Sequence, residues 1–368
     1  MLADIRRQPE CLRRLLGRAG ELGRLGATHL APGPGGAVYA VGCGDGWFAA
    51  RALTLALGRG AGLPYRAASA LDFVVYEAER LTAADRVVAV SMSGDVDRTV
   101  EAWEAALARG AGGVALTNGT GGRLGALAPV RVSLELPELA PFLCGTATYT
   151  ATLLALALLL DGAAGNRPGE PPWRVAESPL REAVTRLPAV IEAVGGAIRD
   201  LVAAVVGRGL GGVRFLAAGP HVATADYGAA KLVELTRVPA WSDDVEEFAH
   251  RQFWSADPRD LVVYLAPNAR TARQAAEGAD ALAELGFTTV AIETAGTPVP
   301  SAAHRLCLPS MPEWLALLVM PVPLQLLGYH LARATGLDPN TRAHLRDDAA
   351  RFRVSRKLTR RSLVGTGR

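Results

Sequence analysis

The sequence predicts an α/β protein made of two copies of one unit, each a parallel sheet flanked by helices in three layers. Three observations carry that expectation. Short unbroken apolar runs, such as 37–41, 86–90 and 112–117, alternate with helical patterns, as buried parallel strands do. The run 38–44 recurs at 213–219 and the run 87–91 at 262–266, both 175 residues on, while 110–116 recurs at 286–292, 176 residues on. That period is far longer than a solenoid repeat and marks a duplicated domain. A chain of 368 residues is also long for one core and comfortable for two.

Residues 1–30 form an N-terminal helical segment, with Leu12, Leu15, Leu16 and Leu22 on a face opposite the arginines. The first domain spans 31–161. Its first strand, 37–41, ends in Gly42-Cys43-Gly44-Asp45-Gly46 and a helix over 47–57. Its second, 86–90, runs into Ser91-Met92-Ser93-Gly94-Asp95 and a helix through Glu101, Trp103 and Leu107. Strands over 112–117 and 130–136 and a closing helix over 146–160 complete it. A stretch rich in Gly and Pro makes 162–175 the linker. The second domain, 176–337, opens on a helix over 180–206 and repeats the strand pattern, and 338–368 is a C-terminal tail. Within it, Ala, Lys, Leu and Glu favour a helix from Tyr227 to Leu235, with Ala230, Leu232 and Leu235 as its apolar stripe. Pro239 is expected to stop that helix and lead into an acidic loop ending at His250.

Composition narrows the function classes. Half the residues are apolar and a fifth charged, as in an ordinary globular chain. The net charge of +3 is spread out, and the basic cluster at 351–361 reads as a tail surface. No aromatic-interleaved basic run, zinc finger or helix-turn-helix pattern points to nucleic acid. Cys11, Cys43, Cys144 and Cys307 lie far apart and form no CxxC pair, which fits a reducing cytoplasm. The N-terminus has no secretory apolar core. The apolar stretches 143–160 and 314–329 fall short of the ~20 residues of a membrane span and are expected as buried core helices. No ligand spacing implies a metal or other cofactor, so the expected partner is a small molecule, with no nucleic acid and no membrane.

Lys231 and Glu234 are three apart and share a helix face. With His250 they supply the amine, carboxylate and imidazole that proton transfer at a sugar carbonyl needs. The same residues also read as a solvated helix with an ion pair and a surface histidine. Lysine use bears on the choice: of 39 basic residues only Lys231 and Lys357 are not arginine. An amine that can release its proton has no substitute in arginine. The turn Ser91–Asp95 gathers hydroxyls and backbone N–H groups at a helix N-terminus and suits an anion, with Ser93 as a simple helix cap the alternative. Gly42-x-Gly44-x-Gly46 lacks dinucleotide spacing and reads as a tight turn bringing backbone close to a ligand. The second copy has Ala266-Pro267-Asn268-Ala269 in place of Ser91–Gly94. The copies therefore divide the labour, and a site shared between both lobes would explain the division.

These motifs carry a resemblance. With Ser91-Met92-Ser93-Gly94, the helix opening Cys144-Gly145-Thr146-Ala147-Thr148-Tyr149, the Tyr227–Arg237 stretch, Pro323-Leu324-Gln325-Leu326-Leu327-Gly328-Tyr329-His330 and Thr335-Gly336-Leu337-Asp338-Pro339, the chain resembles the tandem sugar isomerase (SIS) family. It is most similar to the isomerase half of glucosamine-6-phosphate synthase, and also resembles stand-alone phosphosugar isomerases, deaminases and fructosamine deglycases. The synthase's N-terminal glutaminase domain has no counterpart, so glutamine-derived ammonia is not expected. The resemblance implies that Glu234 moves a proton between C1 and C2 beside Lys231. It implies that His250 assists ring opening from the neighbouring subunit of a homodimer, and that Lys357 is the C-terminal lysine of the site. Substrate contacts are implied at Gly44, Asp45, Gly46, Ser91, Met92, Ser93, Gly94, Asp95, Leu143, Gly145 and Thr146.

Three departures stand out. Tyr227 replaces the family's acid one turn before the lysine. Asp45-Gly46 stands where the family has Thr-Ser, and Asp95-Val96 where it has Glu-Thr. A carboxylate about 5 Å from a phosphate costs roughly 3 kcal/mol per unit charge at an effective dielectric of ~20. Either Arg98 or Arg51 neutralises Asp45, or the ligand presents an amine or hydroxyls there. The expected activity is aldose–ketose isomerisation, or deamination or deglycation of an amino sugar, on an open-chain phosphorylated or amino sugar. The alternative is a sugar-sensing protein that binds without turnover.

Overall fold

The computed structural model describes residues 1–58, 62–165 and 177–359. The first sheet holds β1 (Val38–Gly42), β2 (Tyr65–Ser69), β3 (Arg86–Val90), β4 (Gly112–Thr117) and β5 (Arg131–Ser133), in the order β2-β1-β3-β4-β5. The second holds β6 (Val213–Ala217), β7 (Ala240–Asp244), β8 (Leu261–Ala266), β9 (Thr288–Thr294) and β10 (His304–Leu308), in the order β10-β9-β8-β6-β7. Every pairing is parallel. Read from its other edge, the second sheet repeats the first strand for strand, so the recurring sequence is a duplicated topology. In both, the order reverses between the first and third strands, leaving a crevice beyond their carboxyl ends where open α/β sheets receive ligands.

The central strands read as continuous apolar runs because helices cover both faces: β1, β8 and β9 are buried at every residue. On one face of the first sheet, Tyr39, Val41, Val87, Ala89 and Ala115 pack with Phe73 and Trp103. In the second, Leu216, Val262, Tyr264 and Ala266 pack with Phe248 and Ala275.

The stretch after Pro239 differs from the expected loop. The preceding helix, His221–Leu235, does end before the proline, with Thr236 extended. The chain then forms β7 beside β6 and a short helix, Val245–His250, capped by Asp244 accepting from the Glu246 N–H. Both β7 and β2 are edge strands, partly exposed and carrying charge, so neither shows the apolar run that marks a central strand.

The N-terminal segment folds as the helices Leu2–Arg6, Gln8–Gly17 and Ala19–His29, burying Leu12, Leu15, Leu16 and Leu22. The helix Ala147–Ala164 and the stretch Glu313–Ala334 are long and apolar enough to pass for membrane spans, yet 83% and 89% of their apolar 18-residue windows is buried in the protein. They are core helices, apolar on all sides for that reason. Ala147–Ala164 extends into the expected linker, whose residues 166–175 lie outside the described ones, as do 360–368 of the tail.

Two compact units result. Met1–Pro9, Leu139–Thr146 and Ser178–Leu345 form the unit around the second sheet. Glu10–Glu138 and the described parts of Ala147–Glu177 and Arg346–Arg368 form the unit around the first.

Candidate active site

In the unit of the second sheet, the helix His221–Leu235 leaves the carboxyl end of β6 and carries Lys231 and Glu234 on one face. Lys231 is buried, and its Nζ donates to both Glu234 oxygens at 3.0 Å. The same ammonium lies 5.6 Å from the centroid of the Tyr227 ring. Arg342 approaches from the segment after the last helix of the fold repeat, with Nη1 3.1 Å from Glu234 Oε2. Cys144 Sγ donates to that same oxygen at 3.3 Å. The Glu234 side chain keeps 37% of its surface exposed, so solvent or a ligand can reach it.

Burial pushes the Glu234 pKa up, but the charges of Lys231 and Arg342, with hydrogen bonds from Lys231 and Cys144, outweigh it and hold the carboxyl below its usual value. Glu234 is therefore ionised at neutral pH. Two cations around one carboxylate leave an excess of positive charge, which suits an intermediate that gains negative charge on oxygen.

Behind this group lies a connected polar network. Tyr227 OH donates to the Gly145 carbonyl at 2.8 Å and accepts from Gln325 Nε2 at 3.0 Å. Gln325 Oε1 in turn accepts from Gln8 Nε2 at 2.8 Å. Thr146, fully buried, donates its hydroxyl to Asp4, which also pairs with Arg7 at 2.6 Å. Gly145 and Thr146 are thus tied from behind through the carbonyl of one and the hydroxyl of the other, while Leu143 offers its carbonyl to Arg342 Nη2 at 3.4 Å.

In the unit of the first sheet, the turns after β1 and β3 meet at the crevice. A Cβ on Gly42 or on Gly46 would come 3.0 Å from the Val90 carbonyl oxygen, so the two turns are in close contact. Ser91 is buried, its Oγ accepting from the Gly94 N–H at 3.1 Å, whereas Ser93 is exposed and its Oγ accepts from the Asp95 N–H at 3.2 Å. Ser93 does not cap the following helix, Asp97–Ala108, whose N-cap is Val96 without a side-chain bond. Gly94 has φ +70°, and a Cβ there would sit 1.6 Å from the Gly121 carbonyl oxygen, so only glycine closes this turn. Asp95 accepts from the Arg123 N–H at 3.1 Å, and the Arg123 guanidinium also pairs with Asp97. Asp45 opens the helix Asp45–Gly58, where the helix dipole favours its charge. Arg98 pairs with Glu101, and Arg51 lies over the Trp47 ring at 5.8 Å.

His250 ends the Val245–His250 helix with 68% of its side chain exposed, its Nε2 3.6 Å from Glu246 Oε1. It is not part of the Lys231–Glu234–Arg342–Cys144 group. Lys357 lies exposed on the helix Ala349–Thr359. Sequence reasoning missed Arg342 and Cys144 as neighbours of Glu234. Arg342 is one of many arginines, and its only signal was its position just after the Thr335–Pro339 motif.

Two copies of one parallel α/β sheet, the second followed by a helix that carries a lysine–glutamate pair, define a class of tandem-domain protein. The SIS domain model matches residues 36–161 and 213–333, and the chain belongs to that family. A glutamine–fructose-6-phosphate aminotransferase (isomerizing) from Gloeobacter violaceus is 29% identical over 365 residues, covering 92% of this chain. The chain spans 56% of that relative's length. Among solved structures, the C-terminal domain of glucosamine-fructose-6-phosphate aminotransferase from Francisella tularensis superposes with a TM-score of 0.77 at 19% identity, covering 92% of this chain and 97% of its own. Glucosamine-6-phosphate deaminase from Thermotoga maritima superposes with a TM-score of 0.72 at 17% identity, over 92% and 96%.

Proposed function

We propose that the chain is a sugar isomerase-type enzyme that moves a proton between C1 and C2 of an open-chain phosphorylated or amino sugar, with Glu234 as the base. The observation that supports this reading best is the Glu234 group itself: an ionised, solvent-reachable carboxylate between two cations. The carboxylate takes the proton from the carbon beside the carbonyl or imine. The C–H electrons form the C=C bond of an enediol or enolamine, the former carbonyl carbon's heteroatom takes up the charge, and the proton returns to the neighbouring carbon. The excess positive charge of Lys231 and Arg342 steadies that intermediate. Isomerisation and amino-sugar deamination or deglycation share this step.

In the same reading, His250 assists ring opening in the site of a second copy within a homodimer, and Lys357 supplies a further amine. The turns Gly44-Asp45-Gly46 and Ser91-Met92-Ser93-Gly94-Asp95 hold the polar end of the ligand through backbone N–H groups and hydroxyls. Leu143, Gly145 and Thr146 shape the segment beside the base. Asp45 and Val96 favour a contact with an amine or hydroxyl in part of that pocket. None of the four cysteines is in a disulfide, in keeping with a cytoplasmic setting.

The test is proton exchange at C2 in deuterated water across a panel of sugar phosphates, free sugars and amino sugars. Glu234→Gln is expected to lower exchange about 10²- to 10⁴-fold while ligand-induced thermal shifts persist. Undiminished exchange would exclude Glu234 as the base. Thermal shifts without exchange in the unaltered protein favour the sugar-sensing reading, for which the acidic Asp45 speaks.

A further inference from the structure

We infer that Arg342 is the positioning residue of the Glu234 site: its guanidinium fork ties the carboxylate to the segment 142–144, so that base and segment are placed as one piece. The inference rests on the reading of Glu234 as the base. Four contacts converge. Arg342 Nη1 donates to Glu234 Oε2 at 3.1 Å, Nε donates to the Phe142 carbonyl, and Nη2 donates to the Leu143 carbonyl at 3.4 Å. The next residue, Cys144, donates its thiol to the same Glu234 oxygen at 3.3 Å. One carboxylate oxygen thus meets three consecutive residues, two of them through the arginine.

Backbone conformation points the same way. Arg342 has φ +49° and Phe142 φ +63°, and among the described residues the only other non-glycine with positive φ is Glu135. Side chains disfavour that region, so both ends of the contact are held there by their surroundings. Asp338 builds the turn that delivers the arginine: its carboxylate accepts from the Asn340 N–H at 2.9 Å and the Thr341 hydroxyl at 2.8 Å, and its carbonyl accepts from the Arg342 N–H at 3.0 Å. Neutralising Glu234 does not require a second cation, because Lys231 already contacts both oxygens at 3.0 Å. Beyond its share of the charge, Arg342 adds geometry, a planar fork that meets a carboxylate and two carbonyls at once, which a lysine cannot reproduce.

The test uses the full chain with Arg342→Met and Arg342→Lys, each checked for folding by near-ultraviolet circular dichroism. Carboxyl ¹³C NMR, with Glu234→Gln to assign the resonance, follows the titration of Glu234 without any substrate. Arg342→Met is expected to raise its midpoint by about one pH unit, and Arg342→Lys to leave it close to that of the unaltered protein. Both variants are expected to speed amide hydrogen exchange at 142–144, because neither can fork to the two carbonyls. A midpoint unmoved by Arg342→Met, or segment exchange fully restored by Arg342→Lys, would overturn the inference. If Arg342→Met does not fold, Arg342→Lys alone decides through the 142–144 exchange rates. Where a sugar is turned over, the acid limb of kcat/KM should move with the NMR midpoint, which a merely structural buttress would not produce. Absence of C2 proton exchange with every sugar in the unaltered protein defeats the functional reading alone, since the titration and amide exchange still judge Arg342.

Discussion

A carboxylate gripped by two cations is stable as an anion, and that has a consequence for pH. The folded protein holds Glu234 below its ordinary value of 4.5. Its contribution to stability is therefore complete above that ordinary value and disappears as the pH falls through the lowered folded one. Glu234→Gln should melt at a lower temperature than the unaltered protein near neutral pH, with the gap closing as the pH drops below 4.5. A gap constant from neutral pH into that acid range would mean the carboxylate gains nothing from Lys231 and Arg342. Tyr227 offers a second residue-scale prediction. Its hydroxyl joins the Gly145 carbonyl to Gln325, so Tyr227→Phe leaves buried polar groups unpaired, at a cost of about 1–3 kcal/mol in urea unfolding. A loss indistinguishable from zero would mean that water or Gln325 repairs the break. The lysine–glutamate pair was legible in the sequence because i,i+3 spacing on a helix brings side chains together by itself. Arg342 was not, because it meets Glu234 across 108 residues through a turn built by Asp338.

The central strands of both sheets were legible as elements, since strands covered on both faces must be apolar at every position. Edge strands escape that rule, and β7 resembles a loop in sequence because Asp243 and Asp244 belong to no apolar run. Glycine in the helix Ala19–His29 is a subtler case, because the sequence alone gives two of its glycines the same helix-weakening reading. The structure separates them. A Cβ on Gly26 would lie 1.9 Å from the Leu159 carbonyl oxygen in the helix Ala147–Ala164, whereas a Cβ on Gly23 meets nothing within 4 Å. Gly26→Ala should force those two helices apart and cost about 3 kcal/mol. Gly23→Ala, three residues away on the same helix, should instead stabilise by about 0.5–1 kcal/mol through the better helix propensity of alanine. Thermal unfolding of both variants checks the pair. Equal signs would show that the approach at Gly26 does not limit the packing.

At the scale of the whole molecule, duplication was visible as three runs recurring at offsets of 175 and 176 residues, and the two sheets share one strand order. The imidazole of the proposed chemistry is His250. His250 is 68% exposed and stands apart from the Glu234 group, although the proposed chemistry gives it a part in ring opening. If it acts in the site of a second copy, each site of a homodimer takes Glu234 from one chain and His250 from the other. That arrangement makes a prediction no single-chain site can share. Glu234→Gln and His250→Ala homodimers should each be inactive on a closed-ring sugar, for different reasons. When the two proteins exchange subunits, half the dimers become mixed, and each mixed dimer carries one site with both changes and one with neither. Activity should therefore return to about a quarter of that of the unaltered dimer, as two-fold symmetry requires. The measurement is turnover in the mixture after subunit exchange, with mass photometry to confirm the dimers. No recovery in demonstrably mixed dimers would place His250 outside the neighbouring site, and the ring-opening role would then have to pass to another group.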